Sequence, residues 1–470
     1  MVNTFFFYDL ETSGFSPRFD RIMQFAGQRT DMDLKPIGKP IDVLVKLSED
    51  ILPSPDALLV TKITPQQTVQ DGLTEAEFTK LISKEVFTPN TIAVGYNNIR
   101  FDDEFIRHAL WRNFHDPYEW AWANGRSRWD LLDAVRLVRA LRPDGINWPV
   151  KDGKPINRLE LLAQENGIKH EHAHNALSDV LALIELAKLV KTKQPKTFEY
   201  LLKMRDKKEI ARLVNLDYPQ PFIYTSGRFG GEHESTTVCF PVAPGNNPGS
   251  TLVYDLRYGP ADLAKLSRQE IVSALNASYE ERKKGDYPPV PVKELQYNRC
   301  PAVAPLGVLD GASQERLNID LERTKQNAVD LEKNRDVLDK IIAAWNDRPG
   351  FTKSDDVEGQ LYDSFIVPAD KPKIQQVREA DEQKLADLHP SFVDERLPEL
   401  LFRYKARNYP KSLSSDERVR WDEYRKTKLQ RELPEYMERL SRLGADTDDN
   451  GVFVLEEMQL WVESILSVDD

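Results

Sequence analysis

The chain opens with an aromatic run, Phe-Phe-Phe-Tyr at 5–8, that passes straight into Asp9-Leu10-Glu11. Residues 4–10 read as a β-strand, because aromatic side chains suit a pleated, buried surface. Asp9 and Glu11 stand two residues apart, so in a strand both side chains point to one face. Two carboxylates on one face of an otherwise apolar strand are costly unless a cation joins them. Either the strand end meets solvent there, or a hard cation such as Mg²⁺ accepts oxygen ligands from both residues.

Two further segments bear on that choice. Asp102 lies in Tyr-Asn-Asn-Ile-Arg-Phe-Asp-Asp-Glu, after a short apolar strand over 91–96 and at the start of an expected helix over 103–114. An acid there can cap the helix and gains from its dipole. Asn98 could orient that carboxylate or the chain end. Asp103 and Glu104 are alternatives by position, and the residues alone do not choose among the three. His174 and Asp179 lie in His-Asn-Ala-Leu-Ser-Asp. Asp179 falls within a dense apolar helix over 176–192, where a buried acid needs a partner. His174 precedes that helix and can be neutral at pH 7, free to accept a proton from water. His170, His172 and His174 alternate in a way that could suggest zinc. Carboxylate-rich surroundings without a nearby cysteine suit Mg²⁺ or Mn²⁺ better.

Periodicity divides the 470 residues into three parts. Residues 1–193 alternate strands (4–10, 22–29, 41–46, 91–96) with helices (75–86, 103–114, 131–141, 159–166, 176–192), an α/β domain with a mixed sheet. Residues 194–348 begin with short strands (222–225, 236–242, 251–256) between Gly- and Pro-rich turns, consistent with a small β-barrel, and end in helix over 314–345. Residues 349–470 are helical, with breaks expected at Pro390, Pro398, Pro410 and Pro434.

Two cysteines, Cys239 and Cys300, exclude a disulfide framework and suggest a reducing cytoplasm. No apolar run approaches the roughly 18 residues of a membrane span. The N-terminus has no basic region before its apolar stretch, so it does not read as a signal peptide. Net charge is −12, which by itself argues against a nucleic-acid partner. Yet residues 100–158 carry 11 Lys and Arg against 9 Asp and Glu, and 9 of those cations are Arg, the residue that grips phosphate bidentately. The same stretch holds Trp111, Tyr118, Trp120, Trp122 and Trp129. Arginines interleaved with aromatics are the chemistry of single-strand binding, although most of these rings must belong to the core.

Taken in order, Asp-x-Glu, Asn-x-x-x-Asp and His-x-x-x-x-Asp resemble the three motifs of the DEDDh exonucleases. Gly-Tyr-Asn-Asn-Ile-Arg-Phe-Asp-Asp-Glu, Ser-Arg-Trp-Asp-Leu-Leu-Asp, Val-Pro-Val-Lys at 290–293 and Tyr-Lys-Ala-Arg-Asn-Tyr-Pro at 404–410 look like the bacterial exodeoxyribonuclease I family, so the resemblance spans nearly the whole chain. It implies a ribonuclease-H-like exonuclease domain, an SH3-like β-barrel domain and an α-helical C-terminal domain. It implies that Asp9, Glu11, Asp102 and Asp179 hold two Mg²⁺ ions, which Mn²⁺ can replace, with His174 as general base. The reaction implied is 3′-to-5′ hydrolysis of single-stranded DNA to nucleoside 5′-monophosphates, in repair and recombination. By the same resemblance, Glu11, Arg107, Tyr118, Trp122, Arg136, Arg142, Asn157 and Arg158 line the strand or its terminal nucleotide. Arg403, Lys405 and Arg407 are candidates for the far wall of the strand path, or else ordinary helix-surface charge. Arg142 and Tyr200 match positions that receive the acidic C-terminal tail of single-stranded DNA-binding protein. A monomer is expected, since no heptad seam stands out. An RNA-directed or proofreading DEDDh enzyme and a non-catalytic scaffold are the competing readings; release of mononucleotides from matched DNA, RNA and duplex substrates separates them.

Overall fold

The computed structural model describes residues 2–170, 175–285, 287–350, 352–444 and 447–466. The chain forms two compact units: residues 1–127, 170–184 and 353–470 make the first, and 128–169 with 185–352 the second.

The first unit is built on a sheet whose middle strand is β1 (Thr4–Thr12). It pairs antiparallel with β2 (Ile22–Thr30) and parallel with β4 (Thr91–Gly95), while β3 (Ile41–Leu44) adds antiparallel to β2. The order is β3-β2-β1-β4-β5, with β5 (Ser127–Asp130) where the chain passes from one unit to the other. A strand covered on both faces needs an unbroken apolar run, which is why 5–8 are all aromatic. Phe6, Tyr8 and Leu10 turn to one face and pack with Phe25, Phe78, Phe105 and Ile106. Phe5 and Phe7 turn to the other, in line with Asp9 and Glu11, and are fully buried.

Helices α1 (Pro55–Thr61) and α2 (Pro65–Asp71) were not expected from periodicity. Each begins with proline, whose missing N–H costs nothing in the first turn, and Thr64 with Gln67 closes a capping box on α2. The expected helix over 75–86 is α3 (Glu75–Leu81) followed by a π turn, Ile82–Val86, ended by Phe87 N–H donating to the Ile82 carbonyl at 2.8 Å. Then come α4 (Asp102–Arg112), and at the second unit's start α5 (Leu131–Leu141) and α6 (Leu159–Glu165). α7 (Ala176–Lys193) begins in the first unit and ends in the second.

The C-terminal helices of the first unit correct two expectations. Pro398 sits in the opening turn of the helix Arg396–Asn408, and Pro434 lies inside an uninterrupted helix, Ser415–Gly444. Packing of Tyr436 and Leu440 with Met23, Leu58 and Met458 supports the continuous helix beyond the proline. Arg403, Lys405 and Arg407 are neither a strand wall nor surface charge. Arg403 and Lys405 are buried, Arg407 is half-buried, and all three are paired: Lys405 with Glu417 at 3.0 Å, Arg403 with Asp356 at 2.9 Å, and Arg407 with Asp50 at 2.7 Å and with Glu358.

The second unit carries a sheet in the order β11-β10-β9-β8-β12: β8 (Phe222–Thr225), β9 (Thr236–Pro244), β10 (Ser250–Asp255), β11 (Val292–Gln296) and β12 (Ala302–Pro305). A two-stranded hairpin, β6 (Val150–Lys151) and β7 (Lys154–Pro155), precedes it. The helix expected over 314–345 is three: Gly311–Arg316, Leu321–Lys333 and Arg335–Asn346. Asn318 breaks it at φ 50°, and Asp320 caps the next helix by accepting from Arg323 N–H.

Glu358 is the keystone of the first unit's buried ion network, contacting Arg21 at 2.6 Å and Arg403 at 3.5 Å besides Arg407. Burial alone would raise its pKa; Arg407, Arg21 and Arg403 hold it far below the usual carboxylate range. Glu358→Ala takes the carboxylate from buried Arg21 and one of the acids from Arg403 and Arg407, and breaking a buried pair in this way costs about 3–5 kcal/mol. Urea denaturation should show a destabilisation of that order. A change within experimental error would mean that the network is solvated.

Candidate active site

Asp9 and Glu11 leave β1 on the face opposite Tyr8, and Asp179 stands in the first turn of α7. One carboxylate oxygen from each of the three lies within 4.8 Å of the others. Asp102, the first residue of α4, is also buried and acts electrostatically on both Asp9 and Glu11. Burial, then Asp102, Glu11 and Asp179, push Asp9 well above the ordinary carboxylate range. Burial, then Asp179 and Asp102, push Glu11 up to about 8. Four acids repelling one another in a desolvated cleft form a set of hard oxygen donors that lacks only positive charge. That is the donor chemistry of a divalent-cation site.

The three acids at 102–104 have separate duties. Tyr8 donates a short hydrogen bond to Asp103 Oδ1, and Asn98 Nδ2 donates to the same oxygen at 3.1 Å. Asn98 thus serves Asp103 on the core side of the sheet. Glu104 receives Arg107 Nη1 at 2.9 Å and the hydroxyl of Tyr362. Asp102 is left nearest in charge to Asp9.

His174 lies outside the described residues. Of the alternating histidines only His170 is described, and its Nε2 pairs with Asp179 Oδ1. Sequence reasoning had placed His170 only in a possible zinc trio; nothing in its spacing announced this contact.

In the first unit, Arg107 also donates to the Tyr362 hydroxyl at 3.1 Å and lies 5.8 Å from the Tyr118 ring centre. Tyr118 is half-buried beside Tyr362 and the exposed Phe365. Trp122 is 66% exposed, whereas Trp111 and Trp120 belong to the core. The Tyr362–Phe365 addition to this aromatic group was missed, because it arrives from some 250 residues further along the chain.

In the second unit, Trp129 is core, stacked edge-on to Phe198. Arg136 pairs with Asp133 at 2.7 Å. Asn157 accepts from Arg139 at 3.5 Å, and the largely exposed Arg158 pairs with Glu160. Arg142 donates to the Val308 carbonyl at 3.0 Å and lies 3.5 Å from Asp310. The Tyr200 hydroxyl donates to the Val303 carbonyl at 3.1 Å.

Family models match nearly the whole chain: "Exonuclease" over 6–187, "Exonuclease I SH3-like domain" over 205–347 and "Exonuclease I C-terminal domain" over 355–465. Exodeoxyribonuclease I of Haemophilus influenzae is 41% identical over 449 residues, 95% of each chain. The chain belongs to the exodeoxyribonuclease I family. Its fold is therefore the family's: a ribonuclease-H-like exonuclease domain with a mixed sheet, an SH3-like domain and a helical C-terminal domain. Escherichia coli exonuclease I in complex with a dA16 oligonucleotide superposes with a TM-score of 0.95 at 39% identity, covering 98% of this chain and 100% of that one. A zinc-bound form of the Escherichia coli enzyme with single-stranded DNA gives 0.94 at 38% identity, covering 99% and 100%. Among the described residues no helix is long and apolar enough to cross a membrane.

The raised Glu11 pKa has a thermodynamic sign. A carboxyl that titrates near 8 when folded and near 4.5 when unfolded holds more protons in the folded state between those values. Stability then falls as pH rises through that window. His108 and His115, held down to about 3 and about 4 mainly by burial, oppose the trend only below about 6.5. Metal-free protein should therefore melt at lower temperature at pH 8 than at pH 6.5. Glu11→Gln should flatten that slope; an equal slope in the variant would refute the assignment.

Proposed function

We propose that this chain is a metal-dependent 3′-to-5′ exonuclease of single-stranded DNA that releases nucleoside 5′-monophosphates processively in DNA repair and recombination in the cytoplasm. The observation that carries the reading is the carboxylate cluster of Asp9, Glu11 and Asp179, with Asp102 beside it, in a chain alike over its length to an exonuclease crystallised on a single strand. The working segments would be 1–193 for cleavage, with 194–348 and 349–470 completing the grip on the strand.

Asp9, Glu11, Asp102 and Asp179 would hold two Mg²⁺ ions, with Mn²⁺ as a substitute. When bound, the ions supply positive charge at the scissile phosphate and make a water molecule more acidic. His174 takes the proton of that water as its oxygen attacks phosphorus in line. The bond from phosphorus to the 3′ oxygen of the penultimate nucleotide breaks, that oxygen takes a proton from solvent water, and His174 returns its own proton to solvent. Glu11, Asn157 and Arg158 would orient the terminal nucleotide. Arg107, Arg136 and Arg142 would meet phosphates, while Tyr118 and Trp122 offer ring faces to bases.

The test uses matched single strands blocked at either end. Mg²⁺-dependent release of mononucleotides should stop with a 3′ block and persist with a 5′ block. His174→Ala should keep strand affinity and lose turnover by about 10²-fold or more, the usual share of a general base. Cleavage that survives the 3′ block, or near-normal turnover in that variant, would defeat the proposal.

Arg142 and Tyr200 would receive the acidic C-terminal tail of single-stranded DNA-binding protein. Support comes from a partly exposed guanidinium at the end of α5, a helix that packs with the tyrosine-bearing helix Pro195–Lys203, a setting suited to a carboxylate-tipped apolar peptide. Calorimetry with that tail peptide should show at least a tenfold weaker affinity for Arg142→Ala, and unchanged affinity would remove the assignment.

A further inference from the structure

The second unit holds a cavity that none of this chemistry uses. It measures about 440 Å³ and opens between the strand pair β9–β10, the Pro288–Pro291 segment and the end of the helix Arg335–Asn346. Arg228, Arg257, Arg282, Lys293 and Arg348 line it, against a single lining acid, Asp255. Arg257 already satisfies Asp255, at 2.5 Å. Arg228, Arg282 and Arg348 have no carboxylate within ion-pair distance among the described residues; Glu294 is the acid felt by Arg348 at longer range. A protein of net charge −12 has here gathered five cations around one acid.

The aromatic content of the wall is equally marked. Arg348 stacks on Trp345, 3.8 Å from the ring centre, and Lys293 lies 5.0 Å from the centre of Phe229. Tyr258 and Tyr287 complete the lining, and Tyr258 is 40% exposed. The Trp345 indole N–H is buried without a hydrogen-bond partner, although such a donor ordinarily finds one. Burial, and the charges of Arg228 and Arg282, hold the Arg348 guanidinium below its ordinary pKa against the pull of Glu294. The arginines thus feel one another, a repulsion that a shared anion would relieve.

We propose that this cavity is a binding site for a nucleoside polyphosphate, with the phosphates held by Arg228, Arg282 and Arg348 and the base against Tyr258 or Tyr287. The volume suits one nucleotide. Guanidiniums in planar forks match phosphate oxygens, and a tyrosine face accepts any base. Five lining cations less one acid leave an excess of four, of which a single phosphate of about −2 offsets about half, so two or more phosphates match it better. Every lining residue belongs to the second unit, whereas Asp9, Glu11, Asp102 and Asp179 all belong to the first.

The experiment is calorimetric titration of the full chain with ATP in excess EDTA, which keeps phosphate binding at a metal site silent. One site per chain is expected, with inorganic triphosphate at least tenfold weaker because it lacks the base. The double variant Arg282→Ala/Arg348→Ala should bind ATP at least tenfold more weakly with an unchanged melting temperature. Should that variant melt early, the exposed Arg228→Glu supplies the same readout. Asp9→Asn should bind as well as the parent. Absence of ATP binding to the parent, equal affinity for inorganic triphosphate, or full affinity in both cavity variants would each overturn the proposal.

Discussion

Mutual repulsion among buried carboxylates is the constraint around which the first unit is organised. Asp9 and Glu11 share the face of β1 that also carries Phe5 and Phe7, so the acids cannot turn to solvent without dragging the strand out of the sheet. The opposite face provides the hold. Phe6, Tyr8 and Leu10 are fixed in the main core, and Tyr8 spans to Asp103 at the start of α4. Asp103 directly follows Asp102, so one buried hydrogen bond on the core side ties together two elements whose acids meet on the other. The bond to Asn98 adds a second tether from the turn that follows β4. A cation shared by these carboxylates would stabilise their charged forms, which burial and mutual proximity otherwise disfavour.

This arrangement explains what could be read in the amino-acid order. Strand 222–225 and helix 131–141 have the bounds that periodicity gave them, because each is a dense apolar run buried along nearly its whole length. The i, i+2 relation of Asp9 and Glu11 is purely local, so their shared face was legible as well. The division of labour among Asp102, Asp103 and Glu104 was not. It depends on Tyr8, 95 residues earlier, and on Tyr362, 258 residues later than Glu104, and no local pattern encodes such pairs. Pro398 and Pro434 misled for a different reason. A proline is a breaker only where its N–H would have been used or its ring clashes, and in these helices position or packing removes the penalty.

The roles of the C-terminal cations were hidden by length scale too. Arg403, Lys405 and Arg407 fall on one stretch of helix, and three basic residues at such spacing ordinarily signal a solvated face. Their acids are Asp50, the neighbouring Asp356 and Glu358, and Glu417, on three separate segments. What looked like a surface for a polyanion is the interior cement of the unit.

The same principle governs how an acidic protein can hold an acidic polymer. The basic excess over 100–158 is largely matched inside the fold: Arg112 to Glu75, Arg136 to Asp133, Arg139 to Glu234, Arg107 to Glu104 and Arg158 to Glu160. At these five arginines a phosphate can be gripped only by exchange with a carboxylate partner. For Arg112, whose side chain is 1% exposed, that exchange would uncover a buried charge and is prohibitive. For Arg158, 66% exposed, the existing pair contributes about 0–1 kcal/mol and yields easily. Exchange at exposed arginines gives contacts that form and break at little net cost, which is the condition for a strand to be held and still advance one nucleotide at a time.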